Sequence, residues 1–185
     1  MDGAVVIAGA AGAREALLAL ARRALEAAVT GDAPPCAAGV PVFDQRAGAF
    51  VTLESGGQLR GCIGQLEPDR LGDVLVHCAR AAALEDPRFV RVAPAELPQI
   101  VVELSVLTPL SPLADPALVE PGVHGLVVAH RGRRGVLLPQ VAVEWGWSAE
   151  EFLCQTCRKA GLPEDAWRDG AKIFTFEAEI FGEPP

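Results

Sequence analysis

The sequence predicts an α+β fold: two layers, a mostly antiparallel sheet with flanking helices, and two unequal lobes. Three observations carry this. Turn signals at Ser55-Gly56-Gly57 and at Arg131-Gly132-Arg133-Arg134 each sit between strand-like runs, and hairpins join antiparallel neighbours. Helical stretches do not alternate one-for-one with strands, so no doubly wound parallel sheet is indicated. Half of the 185 residues are hydrophobic, enough for a real core and too many for a disordered chain.

The elements follow in order. Residues 13–29 read as an amphipathic helix, with Leu17, Leu18, Ala21, Leu25 and Ala28 at helical spacing and Gly31 as the stop. Pro34, Pro35, Gly39 and Pro41 then mark a loop. Residues 49–54 and 58–63 form the first hairpin. Residues 71–84 read as a second helix whose inner face carries Leu71, Val74, Leu75, Cys78 and Ala82. Pro87 ends it by forcing Asp86 out of helical geometry. Residues 99–107 alternate as a strand, and Pro109, Pro112 and Pro116 break the chain after it. Residues 123–130 and 135–138 form the second hairpin. Ser148 with Glu151 makes a capping box for a helix running to Ala160, closed by Gly161. Residues 173–181 are expected as one last strand with Phe174, Phe176, Ala178 and Ile180 on one face. Residues 1–12 are an N-terminal extension, and residues 13–185 form one domain with two lobes.

The formal net charge is −8, which argues against non-specific binding to nucleic acid or anionic membranes. A local arginine patch remains compatible with it. No apolar run is long enough to span a bilayer, and the first residues lack the basic start of a secretion signal. Five cysteines, an odd number, fit reduced thiols, so the expected location is cytoplasmic. The run Val5 to Gly12 imitates a dinucleotide-binding turn, but its glycine spacing is incomplete.

The most informative segment is Leu59-Arg60-Gly61-Cys62-Ile63-Gly64, a thiol between glycines and two residues from an arginine. Glycines permit close backbone approach, and a nearby arginine favours the thiolate. Strand alternation would place Arg60 and Cys62 on one face. Cys62 is therefore a candidate nucleophile or redox group, with His77 or His124 as base; equally, it is a small packed residue. Gly61, Ile63 and Gly64 with Arg60 would cradle an anion, or simply bend the hairpin. Arg88 would hold a carboxylate or phosphate, or tie its loop to a neighbouring carboxylate. Glu103 lies on an apolar strand, either paired with an arginine or acting as a general base. His124 is a proton carrier or a satisfied structural histidine. Cys154 and Cys157 have the spacing of half a metal site, but their shared helix face favours packing, so no metal site is assigned.

Seven phrases also occur in a characteristic order: Phe50-Val51-Thr52-Leu53, Leu59 to Gly64, Asp86-Pro87-Arg88-Phe89, Glu103-Leu104-Ser105-Val106-Leu107, Gly122-Val123-His124-Gly125-Leu126, Leu137-Leu138-Pro139-Gln140-Val141 and Lys159-Ala160-Gly161-Leu162. Together they resemble the AMMECR-one domain family, also called system protein A of the AmmeMemoRadiSam group. The resemblance implies a compact α+β protein with residues Arg60 to Gly64 near a cleft between its lobes. It implies genomic company with a Memo-like protein and a radical SAM enzyme, and it implies no particular reaction or cofactor. Where family members continue the Asp-Pro-Arg-Phe phrase with prolines, Val90 and Arg91 stand here. Two functions follow as expectations. One is an enzyme or enzyme subunit binding a small anionic or nucleotide-like ligand. The other is a non-catalytic adaptor gripping a peptide or partner protein with the same surface.

Overall fold

The computed structural model describes residues 12–184. The N-terminal extension, including the run that imitates a dinucleotide turn, lies outside the described residues except for Gly12. In chain order the elements are α1 (Ala13–Thr30), β1 (Arg46–Ser55), β2 (Gln58–Arg70), α2 (Leu71–Leu84), β3 (Ile100–Leu107), β4 (Ser111–Pro112), β5 (Gly125–His130), β6 (Arg133–Leu137), α3 (Pro139–Glu144), α4 (Ala149–Lys159), β7 (Lys172–Phe176) and β8 (Ala178–Gly182). They form two four-stranded antiparallel sheets, ordered β2-β1-β3-β8 and β4-β7-β5-β6. The described chain divides into two compact units, one of residues 12–107 with 179–184 and one of Thr108–Ala178. Among the described residues no helix is long and apolar enough to cross a membrane.

In the first unit, α1 and α2 pack against each other and against one face of the first sheet. Leu17, Leu20 and Leu25 meet Leu71 and Leu75 there, over Ala49, Val51 and Leu53 of β1 and Val102 and Leu104 of β3. The period of two along β1 and β3 sends these residues to the helices and leaves Phe50, Thr52, Glu103 and Ser105 for the opposite face. Strand β8 closes the far side. The Glu183 carboxylate accepts from the Arg22 fork and from the Val102 N–H at 2.9 Å, tying the end of the chain to α1. Burial of this carboxyl opposes its charge, but Arg22 and the Val102 N–H outweigh it and hold the group below the usual range.

In the second unit, α3 and α4 cover one face of the second sheet. Leu126, Ile173, Ala142, Phe152 and Leu153 make its core, and Val128, Cys157 and Ala166 a satellite cluster. The predicted capping box is present, with Ser148 and Glu151 bonded reciprocally.

Besides α3 and β4, which the sequence reading did not assign, three of the expected elements differ from it. Strand β2 runs on past Gly64 to Arg70 despite Pro68, because a register irregularity lies between Ala47 and Ala49 where the proline needs no ladder bond. The second hairpin turns through Arg131 and Gly132 alone, so Arg133 and Arg134 belong to β6. The expected last strand breaks at Glu177. There the Thr108 hydroxyl accepts from the Glu177 N–H at 2.8 Å, and the Thr108 N–H donates to the Glu177 carbonyl at 2.9 Å. The two halves then join different sheets. Of the residues expected on one face Phe176 is buried and Ile180 is exposed, while Ile173 and Thr175, expected on the other face, are buried too.

Two glycines of the Arg60–Gly64 segment are set by close approach. A Cβ on Gly61 would overlap the Ala82 carbonyl oxygen of α2, and a Cβ on Gly64 would overlap the Phe50 ring. The first obstacle is backbone, the second a half-buried side chain that can swing aside. Gly61→Ala should therefore cost about 1–3 kcal/mol or more, and Gly64→Ala distinctly less. Urea melts followed on the first unit check the order; equal or reversed costs would show that α2 does not press on β2 at this point.

Candidate functional site

Strand β2 is an edge of its sheet, so half of its peptide groups lack a strand partner. At Cys62 a loop supplies one. The Cys62 N–H donates to Oδ2 of Asp86 at 2.9 Å, and the Cys62 carbonyl accepts from Nη2 of Arg88 at 3.3 Å. Asp86 and Arg88 grip each other with Nε to Oδ1 at 3.0 Å and Nη2 to Oδ2 at 2.7 Å, and the Arg88 N–H also donates to Oδ1 at 3.1 Å. The Asp86 side chain is only 2 % exposed, whereas that of Arg88 is 54 % exposed. The Arg88 fork, followed by the N–H groups of Cys62 and Arg88, outweighs burial and holds the Asp86 carboxyl far below the usual carboxylate range.

Arg60 departs from the expected alternation. Leu53 pairs with Gly61 but Glu54 pairs with Leu59, so Arg60 is the extra residue of a β-bulge. Its guanidinium turns to the same loop. It donates to Glu96 at 2.8 and 3.1 Å and to the carbonyls of Val90 at 2.8 Å and Arg91 at 3.3 Å. Arg60, together with the N–H of Ala93, draws the Glu96 carboxyl down from its ordinary value. Arg60 thus clamps residues 90–96. The cation beside Cys62 is Arg88, not the arginine two residues away in sequence.

The bulge also decides where the thiol points. Cys62 pairs with Thr52, and Thr52 with Glu103, so three polar side chains lie in a row across β2, β1 and β3 on the face away from α1 and α2. The Thr52 hydroxyl donates to Cys62 Sγ at 3.4 Å. Two strand spacings put Glu103 about 10 Å from Cys62 across the sheet. The neighbouring row is Gly64, Phe50 and Ser105. Ser105 is 1 % exposed, and its hydroxyl has no hydrogen-bond partner among the described residues.

Ile63 packs against the first core and turns no group to the thiol. His77 is exposed on α2, on the helical side of the sheet. His124 belongs to the second unit, where Nδ1 accepts from the Glu120 N–H at 3.1 Å. Cys157 is buried, and burial pushes its thiol above the ordinary value. Cys154 is half-buried one turn away. Among the described residues no group of three metal-ligating side chains comes together. The sequence reading did not single out Thr52, Asp86 or Glu96 for these roles. Only Asp86 carried a sequence signal, as a carboxylate two residues before Arg88.

A family model described as AMMECR1 matches residues 18–181. A protein of Methanothermobacter thermautotrophicus is 56% identical over 150 residues, covering 77% of this chain and 78% of that one. One from Methanosarcina mazei is 45% identical, covering 91% and 90%. The crystal structure of protein PH0010 from Pyrococcus horikoshii superimposes with a TM-score of 0.83 at 42% identity, covering 90% of this chain and 89% of that one.

The depressed Asp86 carboxyl fixes a pH dependence. Its folded-state value lies below the unfolded one, so its stabilisation is present above about pH 4 and is lost as the pH falls further toward the folded value. Asp86→Asn should remove that part of the acid sensitivity and cost about 2–3 kcal/mol at neutral pH through the weakened Arg88 and Cys62 bonds. Chemical denaturation between pH 2 and 7 measures both; parallel pH profiles for the two proteins would refute the assignment.

Proposed function

The chain belongs to the AMMECR1 family, and from that premise we propose that it is an enzyme or enzyme subunit whose reactive group is the Cys62 thiol. The observation that supports this most is the Cys62–Thr52–Glu103 row. A polar strip crosses three strands on the face away from the helices, and it exists only because the bulge at Arg60 turns the thiol out of the core. Thr52 donates a hydrogen bond to the sulfur, which fixes the direction in which a nucleophile or redox group is presented. Glu103 stands too far along the row to take the thiol's own proton, so its role is to carry a proton for a ligand lying across Thr52.

In this reading Arg60, Gly61, Ile63 and Gly64 position the strand, and none of them contacts the ligand. An anionic or nucleotide-like ligand would find one cation beside the thiol, the water-facing side of Arg88. Residues 13–185 act as one cytoplasmic domain, passing a small ligand to or from a Memo-like protein or a radical SAM enzyme. An adaptor role has one observation in its favour: Val90, 83 % exposed on the loop that Arg60 clamps, offers an apolar contact beside the same strand edge.

Site-resolved alkylation of the native protein separates the two. Cys62 should label in the folded state, and more slowly in Thr52→Val. Cys78, whose thiol burial pushes up to about 12 with a smaller contribution from Cys62, should label only after unfolding. If Cys62 behaves like Cys78, the thiol is a packing residue and the adaptor role stands in its place.

A further inference from the structure

The tip of the β5–β6 hairpin carries a feature that the Cys62 row does not use. Arg131 and Gly132 turn the chain with φ of 47° and 79°. Two-residue turns of this left-handed kind favour Asn-Gly or Asp-Gly, because a Cβ at positive φ is strained. Arg131 is the one non-glycine residue with positive φ among the described residues. A large cation is held where a small amide would fold better.

The strand register gathers further cations around it. Ala129 pairs with Arg134 on one side and with Lys172 on the other, so two cations flank an alanine on one face of the sheet. Arg133, on the other face, donates to the Gly161 carbonyl and is thereby held near the tip. A hollow of about 410 Å³ is lined by Ala129, Arg131, Arg133, Arg134, Gly170 and Lys172, among others. No carboxylate among the described residues lines it. Arg131 and Lys172 make no ion pair or side-chain hydrogen bond among the described residues. On the helical side an adjoining hollow shares Arg131 and Arg133 and contains Asp165 and Asp169.

We propose that this hollow binds a small ligand through two or more of its phosphate groups. Arginine forks match phosphate oxygens in pairs, and lysine adds a point charge. The floor of Ala129, Gly132 and Gly170 carries no bulk, so a phosphate can approach the backbone. The volume suits a small molecule. A long polyanion would meet the net charge of −8 beyond the patch, which disfavours a nucleic-acid strand. The site lies within the second unit and stands independently of any chemistry at Cys62.

The test is calorimetric titration of the full chain with inorganic pyrophosphate at low salt. One saturable site per chain is expected. Arg131→Asn should weaken it ~10-fold or more through loss of a charge-assisted contact, while leaving the thermal midpoint unchanged or higher, because asparagine suits the turn. Lys172→Gln should weaken binding similarly without touching the turn. Absence of saturable binding, or equal affinity in both variants and the parent, would overturn the proposal. So would tight binding of a single-stranded oligonucleotide with none of pyrophosphate, which would make the patch a nucleic-acid grip.

Discussion

The first unit depends on one interaction, the Asp86 carboxylate on the open edge of β2. A peptide N–H at a sheet edge needs a partner, and an unpaired carboxylate cannot be buried without one. Here each solves the other's problem: the Cys62 N–H meets Oδ2, and Arg88 neutralises the charge from the water side. The geometry follows from α2. The helix starts directly after β2, at Leu71, and runs back over it until the Ala82 carbonyl rests on Gly61. Its end therefore falls beside the strand edge, and Asp86 is delivered opposite Cys62. The Val92 N–H then returns to the Ala83 carbonyl at 2.9 Å, and Arg60 holds Val90, Arg91 and Glu96. Strand edge, helix end and loop lock as one unit, so a change at any of them is felt at the others.

How much of this was legible in the sequence depends on the range of the interaction. Helix α2 starts and ends where its periodicity and the following proline place it, and α4 begins at its capping box, because those signals act within four residues. The Asp86–Cys62 bond spans 24 positions and leaves no local trace. The split between β7 and β8 is equally silent, since it rests on Thr108, a residue 69 positions from Glu177. Helix α3 was likewise missed, because it is a single short helix opened by Pro139, with too few residues to show a period.

The candidate site turns on a subtler failure. The hairpin closes with Ser55 opposite Gln58 and Glu54 opposite Leu59. Continuing that count inward would put Cys62 opposite Val51, facing the helices. The extra residue at Arg60 moves every later pairing by one, and a shift of one exchanges the two faces of a strand. Alternation arguments made on the bare sequence thus joined Arg60 to Cys62 and missed Thr52. The glycines were legible as places of close approach, but not what approaches them.

The same shift separates two cysteines that composition alone treats alike. Cys78 sits on α2 against the sheet, fully buried, where loss of water raises its thiol to about 12 and leaves it a packing residue. Cys62 is half-buried on the opposite face, with a hydroxyl aimed at its sulfur and a guanidinium on its carbonyl. Had the hairpin closed without its bulge, Cys62 would have turned into the apolar layer that holds Cys78. A packing role needs no such device, because a cysteine, alanine or valine fills a core from a regular strand. A bulge that interrupts an edge strand and an arginine clamp that holds the adjoining loop amount to a sizeable commitment of structure to the outward aim of one thiol.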